Sequence, residues 1–128
     1  MDFDIKEGIS SKKEMYVTEN DTASRLGSGN LDVFATPSMI ALMENTSKDV
    51  VENILPSGFS TVGTEVSIKH IKATPLGMKV RCEAKLEKVE GKKLLYKVEA
   101  WDEKGKIGEG THTRYIINVK DFMNKIKL

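Results

Sequence analysis

Glutamine is absent from this chain and cysteine nearly so: Cys82 is the single thiol in 128 residues. One thiol cannot form an intramolecular bridge, and with two histidines it cannot complete a structural zinc site of the usual kind. Neither CxxC nor HExxH occurs. The phosphate-cradling GxxxxGK[ST], the dinucleotide GxGxxG after a strand and the GxSxG elbow are also absent. No apolar run approaches the ~20 residues that a bilayer-spanning helix needs. The opening MDFDIKEG is acidic and polar where a secretory signal would be basic and then apolar. The expectation is a cytoplasmic protein with no membrane partner. Twenty basic residues against nineteen acidic ones, net +1, leave no electrostatic footprint for nucleic acid. There is no internal repeat or low-complexity segment, and a single domain, 1–128, is expected, long enough to bury a core without a staple.

What is present is an α+β pattern. A short strand is expected over Lys12 to Thr18. Glu19 to Asp32 (ENDTASRLGSGNLD) then shows neither helical nor strand periodicity, and a connection of that length reads as a flap. Thr36-Pro37 signals a helix start, with the threonine hydroxyl at the N-cap and proline at the first helical position; Pro56 and Gly58 stop it. At 100° per residue, Met39, Ile40, Met43, Ser47, Val50, Val51 and Ile54 form one arc, with Glu44 at its margin and Asn45, Lys48, Asp49 and Glu52 opposite. The remainder alternates as strands. Val62, Thr64, Val66, Ile68 and His70 share one face of the first; Met78, Val80, Cys82, Ala84 and Leu86 share one face of the second. KLLYKVEAW and IGEGTHTRYIINV follow, the latter with Gly108 and Gly110 marking a bulge or close backbone approach. Residues 120–128 read as a short terminal helix.

Three polar groups stand where the pattern asks for hydrophobes or a cap: Thr36, Glu44 and His70. The first two lie eight residues apart on one side of the helix, and His70 ends the apolar face of a strand. If the helix packs on that face, a hydroxyl, a carboxylate and an imidazole converge, a kit suited to hydrolysing an activated acyl group. Each also has a plain structural account. Thr36 serves as a cap, Glu44 reaches to solvent along its stem, and His70 sits half-exposed at a strand end. His112, near Arg114, reads as structural, and Cys82 as a small core hydrophobe.

The segments VFATPSMIALME (Val33 to Glu44), VGTEVSIKHIKATPLGM (Val62 to Met78) and IGEGTHTRY (Ile107 to Tyr115) resemble the fluoroacetyl-CoA thioesterase-like branch of the hotdog superfamily, over roughly Val33 to Val119. That resemblance implies an antiparallel sheet wrapped around one long helix, with active sites at the interface of a homodimer or higher homo-oligomer. It implies a catalytic set of Thr36, Glu44 and His70, with Glu44 as base or nucleophile, His70 as proton donor and Thr36 as orienting hydroxyl. Gly63 near the thioester carbonyl and Arg114 near the end of the last strand match its substrate-binding positions. The implied reaction releases a free acid and CoA from a small acyl-CoA, with no cofactor or metal beyond the CoA carried by the substrate. Two lid phenylalanines that favour the fluorinated acyl group in the family are replaced here by Gly27 and Asn30, which points to a different small acyl group. The alternative is a non-catalytic acyl-CoA binder or sensor. Hotdog hydratase chemistry is disfavoured by the absence of a helix-borne aspartate–histidine pair.

Overall fold

The structure, a computed structural model, describes residues 3–128. Five antiparallel strands form one sheet: β1 (Ser10–Tyr16), β2 (Phe59–His70), β3 (Lys79–Glu90), β4 (Lys93–Asp102) and β5 (Gly105–Asn118), in the order β1-β3-β4-β5-β2. The long helix α2 (Thr36–Glu52) packs across one face, chiefly against β3; α1 (Ala23–Leu26) and α3 (Val119–Lys125) are short. This is the expected helix-on-sheet plan. No helix among the described residues is long and apolar enough to cross a membrane.

The clean alternation in β3 is realised in full: Val80, Cys82, Ala84 and Leu86 are wholly buried, as are Leu94, Tyr96, Val98 and Ala100 of β4. Met39, Met43, Val50 and Val51 of α2 close over them. Each fully buried aliphatic side chain in this layer contributes about 1.5–3 kcal/mol relative to exposure. Burial pushes the Cys82 thiol up to about 11, so it packs as a hydrophobe and is not a nucleophile at neutral pH.

Several boundaries differ from the sequence reading. β1 runs two residues earlier than expected, Ser10–Tyr16, because pairing with β3 and not side-chain type sets its register. The helix buries Leu42 and Thr46 as well, so its packed face is rotated away from Ile40 and Glu44 lies on the flank. It ends at Glu52, short of Pro56. The expected flap is ordered: Thr22 caps α1, Gly27 closes it at φ +74°, and Ser24 is bonded to Asp32 at 2.5 Å. Strand β2 begins at Phe59 and shifts register at Gly63/Glu65, which breaks the simple alternation. Its expected apolar face is not buried; Gly63 to Ser67 are all exposed along a sheet edge. At Gly110 a Cβ would run into the Ser67 carbonyl oxygen and lie 2.6 Å from the Ile68 Cα, so only glycine lets β5 approach β2 this closely.

Candidate active site

Thr36 is not the N-cap. Ala35 holds that position, Thr36 is the first helical residue, and Pro37 follows it inside the first turn. The proline ring still fits there, because the first turn needs no N–H donor. The shift frees the threonine hydroxyl from capping. It lies 2.8 Å from His70 Nδ1, across the junction between the helix start and the end of β2. His70 Nε2 is buried and has no partner among the described residues. Burial holds the His70 pKa below its ordinary 6.5, opposed by the Lys72 backbone, so the ring is neutral at pH 7. A cavity of about 280 Å³ opens beside this pair, lined by Ala23 and Ser28 of the lid, Phe34 and Ala73.

Glu44 joins a second group. A Cβ on Gly63 would meet His112 Cε1 at 3.0 Å, Glu44 Oε2 at 3.1 Å and Arg114 Nη1 at 3.2 Å. The bare backbone of Gly63 thus lets three polar side chains, Glu44, His112 and Arg114, pack directly against the edge strand. Arg114 is nearly buried and tightly held: Nε donates to Thr61 Oγ1 at 2.8 Å and Nη2 to the Thr61 carbonyl at 2.9 Å. Burial lowers its pKa while the Glu44 carboxylate opposes that; a guanidinium stays charged regardless.

Of the residues singled out from sequence, the fold therefore brings Thr36 to His70, and Glu44 to Gly63 and Arg114. No hydrogen bond joins Glu44 to the other pair among the described residues. His112 is the residue that sequence reasoning undervalued. It is 1% exposed and sits inside the Glu44 group. The signal was available: it stands two residues from Arg114, hence on the same face of β5. A hollow of about 730 Å³ between β2, β4 and β5, with Glu87 of β3 at its edge, is lined by none of these residues. No three metal-ligating side chains cluster among the described residues.

Comparison with known proteins follows the same lines. The family of fluoroacetyl-CoA-specific thioesterases matches residues 17–120. The fluoroacetyl-CoA thioesterase of Streptantibioticus cattleyicolor is 38% identical over 96 residues, spanning 75% of this chain and 69% of that one. The crystal structure of the fluoroacetyl-CoA thioesterase FlK superposes with a TM-score of 0.89 at 31% identity, covering 95% of each chain. A thioesterase superfamily member from Thermus thermophilus does so at 0.88 and 30%, covering 94% of this chain and 90% of that one. The chain adopts the hotdog fold and belongs to the fluoroacetyl-CoA-specific thioesterase family.

Proposed function

We propose that this acyl-CoA thioesterase works as a cytoplasmic homodimer on a small acyl-CoA, with Thr36 and His70 of one protomer facing Glu44, Gly63 and Arg114 of its partner. The observation that carries this reading is the separation of the two groups along one open edge strand. Within one chain, Gly63 and His70 stand seven residues apart on β2, roughly 23 Å at the usual rise. A thioester carbonyl cannot meet both. A 12-residue strand with an unpaired edge is itself a template for pairing. A two-fold pairing of β2 with its copy runs the strands in opposite directions, which carries the His70 end of one towards the Gly63 stretch of the other.

In that arrangement Glu44 takes a proton from water as the water oxygen bonds to the thioester carbon, or attacks that carbon itself to give an acyl–Glu44 anhydride that water hydrolyses once CoA has left. The carbon–sulfur bond then breaks and a proton is returned to the CoA sulfur. With Thr36 donating to His70 Nδ1, the ring proton sits on the buried Nε2, where it can bond the carbonyl oxygen, while the proton that Glu44 took from water passes to the departing thiolate. Backbone at Gly63 adds a donor to the developing oxyanion, a role in which one lost donor costs about 3 kcal/mol in other enzymes. The chemistry calls on no cofactor besides the CoA of the substrate.

The lid distinguishes the acyl group. Gly27 has φ +74°, which penalises any side chain there, and Asn30 is exposed. With no aromatic at either position, the reading is a small acyl group that needs no aromatic gate.

Two measurements test this. Thiol release across a panel of acetyl-, fluoroacetyl-, medium-chain and aryl-CoA thioesters identifies the substrate; acyl-CoA that raises the melting temperature without thiol release would instead mean a binder. Mixing inactive His70→Ala and Glu44→Gln dimers tests the shared site. Subunit exchange restores one intact site per heterodimer, about a quarter of wild-type activity for random pairing, whereas sites built within one chain stay dead.

A further inference from the structure

The geometry points to His112 as a positioning residue that holds the Arg114 guanidinium beside Glu44 and Gly63 through a single fixed tautomer; this rests on the thioesterase reading of that site. The ring is pinned from three directions. Nδ1 lies 2.8 Å from the Glu65 carbonyl oxygen of β2, and Nε2 lies 3.1 Å from Arg114 Nη1. Tyr96, its cross-strand partner on β4, stacks on the ring at 6.3 Å between centroids and 30° between planes.

These contacts admit one assignment. Arginine cannot accept a hydrogen bond, so Nε2 must be the acceptor and the ring proton must sit on Nδ1, donating to Glu65. Burial keeps the ring neutral, and the neighbouring guanidinium charge acts in the same direction. Protonation would replace the only acceptor that Nη1 has among the described residues with a second positive charge.

The count of guanidinium donors then gives the role. Of five N–H groups, one on Nε and one on Nη2 go to Thr61, and one on Nη1 goes to His112. The remaining two, one on each Nη, have no partner among the described residues. Nη1 is the nitrogen nearest Gly63. Thr61 fixes one side of the fork and His112 the other, so Nη1 and its free donor are held beside Gly63 and Glu44. A histidine serving only to tie β2 to β5 would need the Glu65 bond and not the Arg114 bond.

Two amides separate these roles. Asparagine reproduces the Nδ1 donor and loses the Nε2 acceptor; glutamine reproduces the Nε2 acceptor and loses the Nδ1 donor. On the acyl-CoA that wild type hydrolyses best, His112→Asn is expected to lower kcat/KM at least about tenfold and His112→Gln to stay within about threefold. Side-chain 15N spectra of Arg114 give a readout without turnover: its Nη1–H signals stay sharp and protected in wild type and His112→Gln and broaden in His112→Asn. Thr61→Val, which loosens the same fork from its other side, should lower kcat/KM in the same sense. The assignment is overturned by His112→Asn equalling or exceeding His112→Gln in both readouts, or by Thr61→Val turning over as wild type does, whether or not His112→Asn folds. Absence of thiol release by wild type on every substrate would refute the thioesterase reading instead, and the spectra would still decide the role of His112.

Discussion

Gly63→Ala isolates the Glu44 group from the fold. The glycine is exposed and its φ is not in the left-handed region, so alanine meets no backbone strain there. The added methyl would lie 3.0 Å from His112 Cε1, 3.1 Å from Glu44 Oε2 and 3.2 Å from Arg114 Nη1. Comfortable separation is about 3.5–4.0 Å, so each group must retreat by several tenths of an ångström. Glu44 can swing outward at small cost because it lies on the helix flank, whereas His112 and Arg114 are bonded to β2. The change in stability should therefore stay within about 1 kcal/mol, the scale of ordinary glycine-to-alanine effects. Catalysis is less forgiving, since misplacement of a reacting group by about 1 Å can cost 100-fold, near 2.7 kcal/mol of barrier. The expected result is a protein melting within a few degrees of wild type, with kcat/KM lowered about 10- to 100-fold. Steady-state thiol release alongside calorimetry measures both. An alanine enzyme within about twofold of wild type would refute the idea that reacting atoms lie over Gly63.

Three further outcomes follow from the same geometry. Thr36→Ser should keep most activity and Thr36→Val should lose at least about tenfold, since the hydroxyl and not the cap is at issue; equal melting temperatures with unequal turnover in thiol-release assays would bear this out. His70 and His112 both have pKa values held below 6.5 by burial, so the unfolded chain takes up protons first as pH falls. Their contribution to stability is full above about pH 6.5 and is lost as pH drops through the folded-state values; a melting temperature that is flat or rising between about pH 7 and 5 contradicts it. Gly110→Ala forces a methyl into the β2 backbone and should destabilise by about 1–3 kcal/mol or more, read by denaturant unfolding; a neutral result would mean that the two strands separate freely.

How much of this was legible beforehand depended on whether a feature was local. The β3 and β4 alternation, the glycines of β5 and the helix bounded by Thr36-Pro37 follow from periods of 2 and 3.6 and from turn chemistry, all of which act within a few residues. The burial of Leu42 and Thr46 was not legible, because only the angle at which the helix crosses β3 decides which flank is covered. Strand β2 was misjudged for the same reason. A face of Val62, Val66 and Ile68 reads as core-facing, yet sheet order places it at an edge where Val66 is 37% exposed. The bulge at Gly63 depends on pairing with β5 and has no signature within β2 alone.

The site divides along that same line. Thr36 and Glu44 are fixed relative to each other by helix geometry, but their partners come from residues tens of positions distant: His70 for the first, Arg114 and Gly63 for the second. Reading Thr36 as a cap failed by one residue, and that residue decides the chemistry. With Ala35 at the cap position, the hydroxyl is free of capping and lies 2.8 Å from His70 Nδ1. Rotation of the packed face past Ile40 likewise leaves Glu44 on the flank, over the edge strand and not beneath the sheet. A carboxylate in the core would need full pairing to be tolerated. At the edge it remains reachable by a solvent nucleophile, beside the bare backbone of Gly63 on an edge strand.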